Sequence, residues 1–290
     1  MIKRFPAVYC LITLLSFMLL PAARADMLIG GEKTYTIQKG DSLVLIAARL
    51  GVDWQIIARE NSVDPGQVLK IGRTLKITVR KIVPKVTADG IIVNIPDRTL
   101  YYFKEGTLVD AFPVGLGNVD WPTPTGIFTI KAKERNPTWH VPKSIQEEMT
   151  IKGEPVKTIV PPGPDNPLGR YALHTSIAGI LLHETIWPAT VYQFRSHGCI
   201  RVPSEQLEKL FGEIRVGTQG EIIYEPIKVA VTSEGRVFLE VHRDIYKKLK
   251  PIDAAVKMHL EKRGLSSRVD RGKVDRAVQE KSGLAEDVTS

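Results

Sequence analysis

Residues 196–201 of this 290-residue chain read Ser-His-Gly-Cys-Ile-Arg and place a thiol, an imidazole and a guanidinium within six positions. A cysteine nucleophile must be available as a thiolate near neutral pH, which requires a pKa below the ordinary value of about 8.5. An imidazolium, the charge of Arg201 and the positive end of a helix expected to start near Ser204 would each lower the pKa of Cys199. A lone cysteine is more often a buried structural residue, but these neighbours favour a nucleophile.

Three histidines are candidates for the base that activates Cys199. His183 follows the strand-like residues 180–182 and precedes the cysteine by 16 positions. A strand end could therefore present it to residues 196–199, which we call the nucleophile loop. His197 is two positions before the cysteine, and this short connection limits how closely the two side chains approach. His174, on the neighbouring predicted strand, is the third candidate. These arguments favour His183 and leave the other two open. The remaining histidines are expected on the surface or in the core: His140, His242 and His259.

The first 25 residues have the pattern of an export signal. Two basic residues precede an apolar run over residues 8–20, which is too short to span a bilayer comfortably. Ala-Arg-Ala at 23–25 has the small-x-small pattern of a cleavage site. The alternative is an uncleaved N-terminal anchor. Cleavage would remove Cys10 and leave Cys199 as a free thiol in an oxidising compartment, where a cysteine kept for packing alone is a disadvantage.

The composition excludes several classes of protein. About a quarter of the residues are charged and somewhat under half are apolar, as in globular proteins. Beyond the N-terminal run there is no long apolar segment, so we expect no stable membrane span after cleavage of the signal. Two cysteines cannot build a zinc ribbon or a disulfide scaffold. No pair of histidines has ligand spacing beside acidic residues, so we expect no metal. We also expect no cofactor and no nucleic-acid partner.

Residues 33–79 have the pattern of a small α+β unit. A strand at 35–38, helices over 43–50 and 53–61, and a strand over 74–79 follow one another and predict a two-layer βααβ arrangement.

This unit resembles a LysM domain through Tyr-Thr-Ile-Gln-Lys-Gly-Asp-Ser-Leu at 35–43 and Leu-Lys-Ile-Gly-Arg-Thr-Leu-Lys-Ile at 69–77. The resemblance implies binding of glycan that contains N-acetylglucosamine, which means peptidoglycan in an exported bacterial protein. The alternative is a packing module without a ligand. The residues that the resemblance places in the two glycan-binding loops are Gly40, Asp41, Ser42, Pro65, Gly66 and Leu69.

The rest of the chain has mainly strand character. Residues 80–89 are basic, contain proline and lack a clear period, so they are expected to form a linker. Turn signals at short spacing then predict a β-sandwich or barrel-like domain over 90–228 with one clear helix at 204–214. Residues 229–290 are expected to form a hairpin and a basic helical tail that is weakly ordered beyond residue 265, with a solvated surface favoured over contact with anionic wall polymer. The strand-like segments are 91–95, 99–103, 108–114, 126–132, 171–175 and 179–184.

Residues 90–228 resemble the L,D-transpeptidase (YkuD) catalytic domain. The residues that carry the resemblance are His-Glu-Thr at 183–185, the segment 196–201 and Thr-Pro-Thr-Gly-Ile-Phe at 123–128. The resemblance implies that Cys199 is the nucleophile and His183 the base, and it makes His197 a wall of the site. We further expect the following contacts: backbone N–H groups around His197 and Gly198 for the oxyanion, and Arg201 and Ser196 for the substrate. A structural salt bridge is the alternative for Arg201.

One position departs from the family pattern. Relatives usually have Gly after the catalytic histidine, and this chain has Glu184. In relatives the backbone carbonyl at that position orients the imidazole, and a carbonyl survives the substitution, so the role can pass to Glu184. A backbone that needs positive φ would be strained by the change, and the added carboxylate could shift the pKa of His183.

The resemblance implies a two-step acyl transfer on peptidoglycan tetrapeptide stems, with a Cys199 thioester and loss of D-alanine. A diaminopimelate amine as acceptor would give a 3→3 cross-link, a lipoprotein lysine would tether the outer membrane, and water would give a carboxypeptidase. Residues 160–169 and Thr138-Trp139 resemble the exported Gram-negative members that attach lipoprotein, which favours tethering and a periplasmic location. The alternatives are a non-catalytic wall-binding protein and a cysteine peptidase of the cell wall.

Overall fold

The computed structural model describes residues 27–249 and 251–290, so the predicted export signal lies outside the described part of the chain. Within that part, no helix combines the length and the apolar character that crossing a membrane requires.

The N-terminal unit has the predicted strand–helix–helix–strand order. Ser42 caps the first helix by accepting a hydrogen bond from Leu45 N at 3.2 Å, and Gly51 ends it in the left-handed region at φ 66°. The two long strands pair antiparallel and the helices cover one face, with Ile46, Ile57 and Leu75 fully buried between the layers. The elements are β1 (Leu28–Ile29), β2 (Glu32–Thr36), α1 (Leu43–Leu50), α2 (Trp54–Glu60), β3 (Thr74–Thr78) and β4 (Lys81–Ile82).

The expected linker over 80–89 is not a free segment throughout. Its residues Lys81 and Ile82 form β4, which pairs antiparallel with β1 and is buried. The local sequence carries no alternation because this pairing involves only two residues from each strand and the neighbouring domains supply the cover.

The central domain, residues 90–223, is built on one long sheet. Among the described residues, eight strands are hydrogen-bonded in the order β15-β13-β12-β9-β16-β5-β6-β7. A bridge between Gly115 and Arg201 brings the edge strand β15 back toward the residues that follow β7, so the sheet nearly closes into a barrel. Its elements are β5 (Gly90–Asn94), β6 (Thr99–Lys104), β7 (Thr107–Pro113), β8 (Leu116–Gly117), β9 (Gly126–Arg135), β10 (Trp139–His140), α3 (Lys143–Ile151), β11 (Ile159–Val160), β12 (Tyr171–Thr175), β13 (Leu181–Glu184), β14 (Phe194–Ser196), β15 (Ile200–Val202), α4 (Ser204–Glu213) and β16 (Gln219–Ile223).

The predicted fold class is confirmed: a mainly β, barrel-like domain follows a small α+β unit. The sequence did not predict α3, which lies between the short paired strands β10 and β11. This helix has no buried residue, and Pro142 at its N-cap makes no side-chain capping bond. Neither an apolar stripe nor a capping signal therefore indicates the helix in the sequence.

The C-terminal residues form a third domain, and the expectation of a weakly ordered tail is wrong. The predicted hairpin is present, but it gains a third strand from the end of the chain, and two helices pack against the sheet. Leu284 even enters the core of the N-terminal unit. The order of the tail is not visible in its own sequence, because its residues pair and pack with partners that are distant in the chain. The elements are β17 (Ile227–Val231), β18 (Val237–Val241), α5 (Ile252–Lys262), α6 (Arg271–Glu280) and β19 (Ala285–Asp287).

A buried ion cluster joins the domains. Lys228 Nζ lies 2.6 Å from the Asp97 carboxylate and 2.7 Å from that of Glu240, and all three side chains are at most 2% exposed. Glu240 also accepts a hydrogen bond from Ile82 N at 2.5 Å and contacts His242 Nε2 at 2.7 Å. Burial alone would raise the pKa of Asp97, but the charges of Lys228 and of Lys81 hold it below its usual value.

We predict that Lys228→Met lowers the free energy of unfolding by about 3–5 kcal/mol, because it leaves two buried carboxylates without their cation. Urea denaturation of the full chain measures this loss. The matched control is Lys257→Met, which removes a 78% exposed lysine that pairs with Glu261 at 3.8 Å and should cost less than about 1 kcal/mol. Equal stability losses in the two variants would contradict the role of the cluster.

Candidate active site

The parallel pairing of β13 with β15 positions the predicted nucleophile and base. His183 lies opposite Arg201 and Leu182 opposite Ile200 in this register. Because side chains alternate along a strand, Leu182 and Ile200 enter the core while His183 and Arg201 share the other face. Cys199 precedes Ile200 directly, and its sulfur lies beside the start of β13 on that same face.

The thiol of Cys199 contacts the backbone of the neighbouring strand. Sγ donates to the carbonyl of Gly179 at 3.3 Å, and the N–H of Leu181 donates to the sulfur. Leu181 and His183 point to one face of β13, about 7 Å apart along the strand. The nucleophile and the histidine are therefore neighbours on one surface of the sheet.

His183 is held by backbone carbonyls. Its Nδ1 lies 2.7 Å from the carbonyl oxygen of Glu184, and the carbonyl of Pro167 also lies beside the ring. With Nδ1 donating to Glu184, the other nitrogen is the one available to exchange a proton. This is the carbonyl contact that the family resemblance predicts at position 184.

The surroundings of both side chains disfavour their charged forms. Burial lowers the pKa of His183 to about 4, although both carbonyls oppose this effect. Burial also raises the pKa of Cys199, and the Leu181 N–H and the charge of Arg201 counter it only in part. The expectation of a thiolate stabilised at rest is therefore not what the environment favours.

The carboxylate of Glu184 points away from His183. It accepts hydrogen bonds from Arg170 N and Ser204 Oγ, each at 2.5 Å, and its backbone lies in a regular strand rather than at positive φ. Gly169, at φ 65°, makes the room: a Cβ there would lie 2.6 Å from Glu184 Cβ. The glutamate thus introduces neither the backbone strain nor the pKa shift that the sequence suggested.

The nucleophile loop leaves backbone donors free. Gly198 has φ 101°, which favours glycine, and a Cβ there would crowd Ile180 at 3.1 Å. Among the described residues, no acceptor within the protein takes a hydrogen bond from the N–H of Gly198 or of Cys199. These two N–H groups are the ones that an oxyanion would need.

Three further predicted site residues, Ser196, His197 and Arg201, have different surroundings in the structure. Ser196 is 2% exposed and donates to the Cys199 carbonyl at 2.5 Å, so it fixes the loop and the expected substrate contact is not supported. His197 is held by Glu148 at 2.8 Å and by the ring of Trp121, with 5.5 Å between ring centroids, which makes it a wall. In the described part of the chain Arg201 has no carboxylate within 4 Å, so the salt-bridge alternative is not realised.

Comparison with known proteins decides the family. Residues 88–229 match the L,D-transpeptidase catalytic domain, and residues 35–78 match the LysM domain. The probable L,D-transpeptidase YcfS of Escherichia coli K12 is 33% identical over 237 residues, which cover 79% of this chain and 73% of that protein. This chain belongs to the L,D-transpeptidase family.

Two further similarities are found. The probable L,D-transpeptidase ErfK/SrfK of Escherichia coli K12 is 29% identical over 276 residues, which cover 91% of this chain and 88% of that protein. Among solved structures, the catalytic domain of the Enterococcus faecium L,D-transpeptidase acylated by ertapenem has a TM-score of 0.36 at 21% identity and covers 47% of this chain and 98% of that chain.

The LysM unit of this L,D-transpeptidase carries a groove of about 380 Å³. The carboxylate of Asp41 is engaged inside the protein, by Tyr35 Oη at 2.7 Å and Arg49 Nη1 at 2.6 Å. Trp54, at the start of α2, forms part of the wall. Of the six predicted glycan-binding residues, the groove is lined by Asp41, Ser42, Pro65 and Leu69, whereas Gly40 and Gly66 shape the adjoining turns.

A network that the sequence did not reveal supports the nucleophile loop from the C-terminal domain. Thr123 Oγ1 donates to the Gly198 carbonyl at 2.9 Å. Tyr246 Oη accepts from Thr123 N at 3.1 Å and donates to the Gly117 carbonyl at 2.6 Å. Thr123 was visible as part of a motif, but nothing in the sequence around Tyr246 indicates a partner more than 120 residues away.

A second residue that sequence reasoning missed fixes the loop over His183. Asn166 is fully buried, and its amide donates to the Pro137 carbonyl at 2.8 Å while its oxygen accepts from Leu168 N at 2.9 Å. These bonds hold Pro167 where its carbonyl meets the imidazole. The proline-rich segment marked a loop, but not which residue anchors it.

We predict that Cys199 alkylation by iodoacetamide has an inflection above pH 8.5 and no plateau between pH 5 and 8, because burial raises the pKa of the thiol. Arg201→Gln should move the inflection further upward, since it removes the nearby positive charge. Lys131→Gln removes an exposed charge elsewhere and should leave the profile unchanged. A plateau below pH 8 would show a thiolate at rest and contradict the assignment.

We also predict that Tyr246→Phe slows acylation of Cys199 by p-nitrophenyl acetate about tenfold, because loss of two hydrogen bonds loosens the Thr123 support of Gly198. Alkylation by iodoacetamide forms no oxyanion and should change less than about twofold. The control is Tyr171→Phe, which loses one hydrogen bond to Glu208 away from this loop. If both reactions slowed equally, the effect would lie in thiol access and not in the positioning of the loop.

Proposed function

We propose that this protein is an exported, periplasmic enzyme that transfers peptidoglycan tetrapeptide stems from D-alanine to an amine acceptor. The observation that carries the proposal is the shared face of Cys199 and His183 on adjacent parallel strands, with free N–H groups at Gly198 and Cys199. A thiol beside a neutral imidazole and an oxyanion site are the parts that acyl transfer through a thioester requires.

In the first step His183 takes the proton of Cys199 as the sulfur attacks the amide carbonyl of the third stem residue. The N–H groups of Gly198 and Cys199 bind the oxyanion. Collapse of the tetrahedral intermediate breaks the bond to D-alanine, whose amine leaves with the proton from His183, and a thioester remains.

In the second step the acceptor amine attacks the thioester while His183 takes its proton. The new amide forms, and the sulfur leaves and recovers the proton from His183. Arg201 is placed to bind a stem carboxylate, because it shares the face of His183 and its guanidinium has no carboxylate partner in residues 27–249 and 251–290. The LysM groove with Trp54 would hold the glycan from which the stems branch.

As the acceptor, we favour a C-terminal lysine of an outer-membrane lipoprotein over a diaminopimelate amine. The support is the proline-rich loop anchored by Asn166, the segment that resembles the lipoprotein-attaching members. Because this loop also contacts His183 through Pro167, it lies where an acceptor has to approach.

Mass spectrometry of the purified chain with disaccharide-tetrapeptide tests the proposal. We expect loss of D-alanine and a thioester on Cys199, then 3→3 dimers or, with added lipoprotein peptide, its conjugate. Cys199→Ala should abolish all products, and His183→Gln should slow them at least about 100-fold. The control is His174→Gln, whose histidine contacts Glu134 at 2.9 Å.

Two results would defeat the proposal. Retention of D-alanine with every acceptor, together with a Cys199 that a carbapenem does not acylate, would leave a non-catalytic glycan-binding protein. Cleavage of internal stem bonds without dimers or D-alanine release would indicate a cysteine peptidase.

A further inference from the structure

A cleft of about 300 Å³ lies where the three domains of the chain meet, and we call it the junction cleft. Trp54 at the start of α2 forms one wall, and Tyr192 and Arg195 from the segment before the nucleophile loop form another. Arg243 and Lys281 reach it from the C-terminal domain. None of these residues takes part in the chemistry at Cys199.

The junction cleft gathers positive charge. Four cations line it, namely Arg98, Arg195, Arg243 and Lys281. In the described part of the chain none of the four has a carboxylate within 4 Å. The one acid in the lining, Asp53, caps α2 by accepting from Gln55 N at 3.2 Å. Cations that converge on a partly enclosed space repel one another, and an anion placed among them would relieve that repulsion.

Arg98 is the most rigidly held of these cations. Its guanidinium carbon lies 3.7 Å above the ring of Tyr192, and Nη1 donates to the Tyr192 carbonyl at 3.1 Å. Its Nε is buried, and in the residues that the structure describes it has no acceptor. Stacking on Tyr192 and the bond to its carbonyl therefore hold the charge of Arg98 at the wall of the cleft.

The junction cleft connects the glycan groove to the active site. Trp54 lines both the LysM groove and the cleft. At the other end Arg195 directly precedes Ser196 of the nucleophile loop and is close enough to Arg201 for its charge to act there. A glycan strand lying in the groove would therefore extend its peptide branches across the cleft.

We propose that the junction cleft binds carboxylates of stem peptides that branch from the glycan held by the LysM unit, and so directs those stems toward Cys199. Stem peptides are the anionic part of an otherwise neutral sugar chain, which matches a groove whose one carboxylate, Asp41, is paired with Arg49, beside a cationic cleft. This inference rests on the proposed function, since it takes peptidoglycan as the ligand.

Binding of two oligosaccharides by the Cys199→Ala chain without residues 1–25 tests the inference by calorimetry. One ligand is a neutral N-acetylglucosamine tetramer, and the other is a peptidoglycan oligosaccharide of equal length that carries stem peptides. Arg243→Gln with Lys281→Gln should weaken binding of the stem-bearing ligand about tenfold or more and change binding of the neutral ligand less than about twofold. The salt dependence of the stem-bearing ligand should fall as well.

Two control variants test whether the effect is specific to the cleft. Lys104→Gln with Lys131→Gln removes the same charge from exposed positions outside the cleft and should leave both affinities unchanged. Trp54→Ala should weaken both ligands, because it removes the shared wall. The inference is overturned if the cleft variant binds the stem-bearing ligand as tightly as the unmodified cleft does, or loses both ligands by the same factor. Carbapenem acylation of the chain with Cys199 intact tests the proposed function separately.

Discussion

The register between β13 and β15 is the constraint on which the candidate site depends. Because side chains alternate along paired strands, placing Leu182 and Ile200 in the core forces His183 and Arg201 onto the opposite face. A slip of one residue in either strand would bury a charged group and separate the thiol from the imidazole. The apolar core of the barrel therefore fixes the geometry of the chemistry above it.

The electrostatics of the site follow from this placement. Under the loop that holds Pro167, burial lowers the pKa of His183, and the partial burial of Cys199 raises the pKa of its thiol. In the proposed acyl transfer the N–H groups of Gly198 and Cys199 would meet the negative charge of the oxyanion, while the proton taken by His183 would make the imidazole cationic. Glu184 leaves this balance intact because its carboxylate is engaged by Arg170 and Ser204.

The C-terminal domain, most of which lies outside the segment that matches the transpeptidase family, contributes to the candidate site. Tyr246 reaches the nucleophile loop through Thr123, and Leu284 packs into the core of the LysM unit. The ion cluster of Asp97, Lys228 and Glu240 ties the same domain to the barrel. The three domains therefore share contacts at one junction between the LysM groove and the candidate site.

The sequence by itself determined what depends on neighbouring residues. Capping by Ser42, the hairpin near residue 235 and the motif around Cys199 are local patterns, and the predicted helix over 43–50 coincides with α1. The family resemblance supplied His183, which spacing alone could not separate from His197 and His174.

Only the tertiary structure decided the directions of the pKa shifts of His183 and Cys199, the contacts of Tyr246 and the order of the last 26 residues. Each depends on burial by segments far along the chain. Burial of that kind leaves no local periodicity, because a side chain's desolvation is set by what packs over it and not by its sequence neighbours.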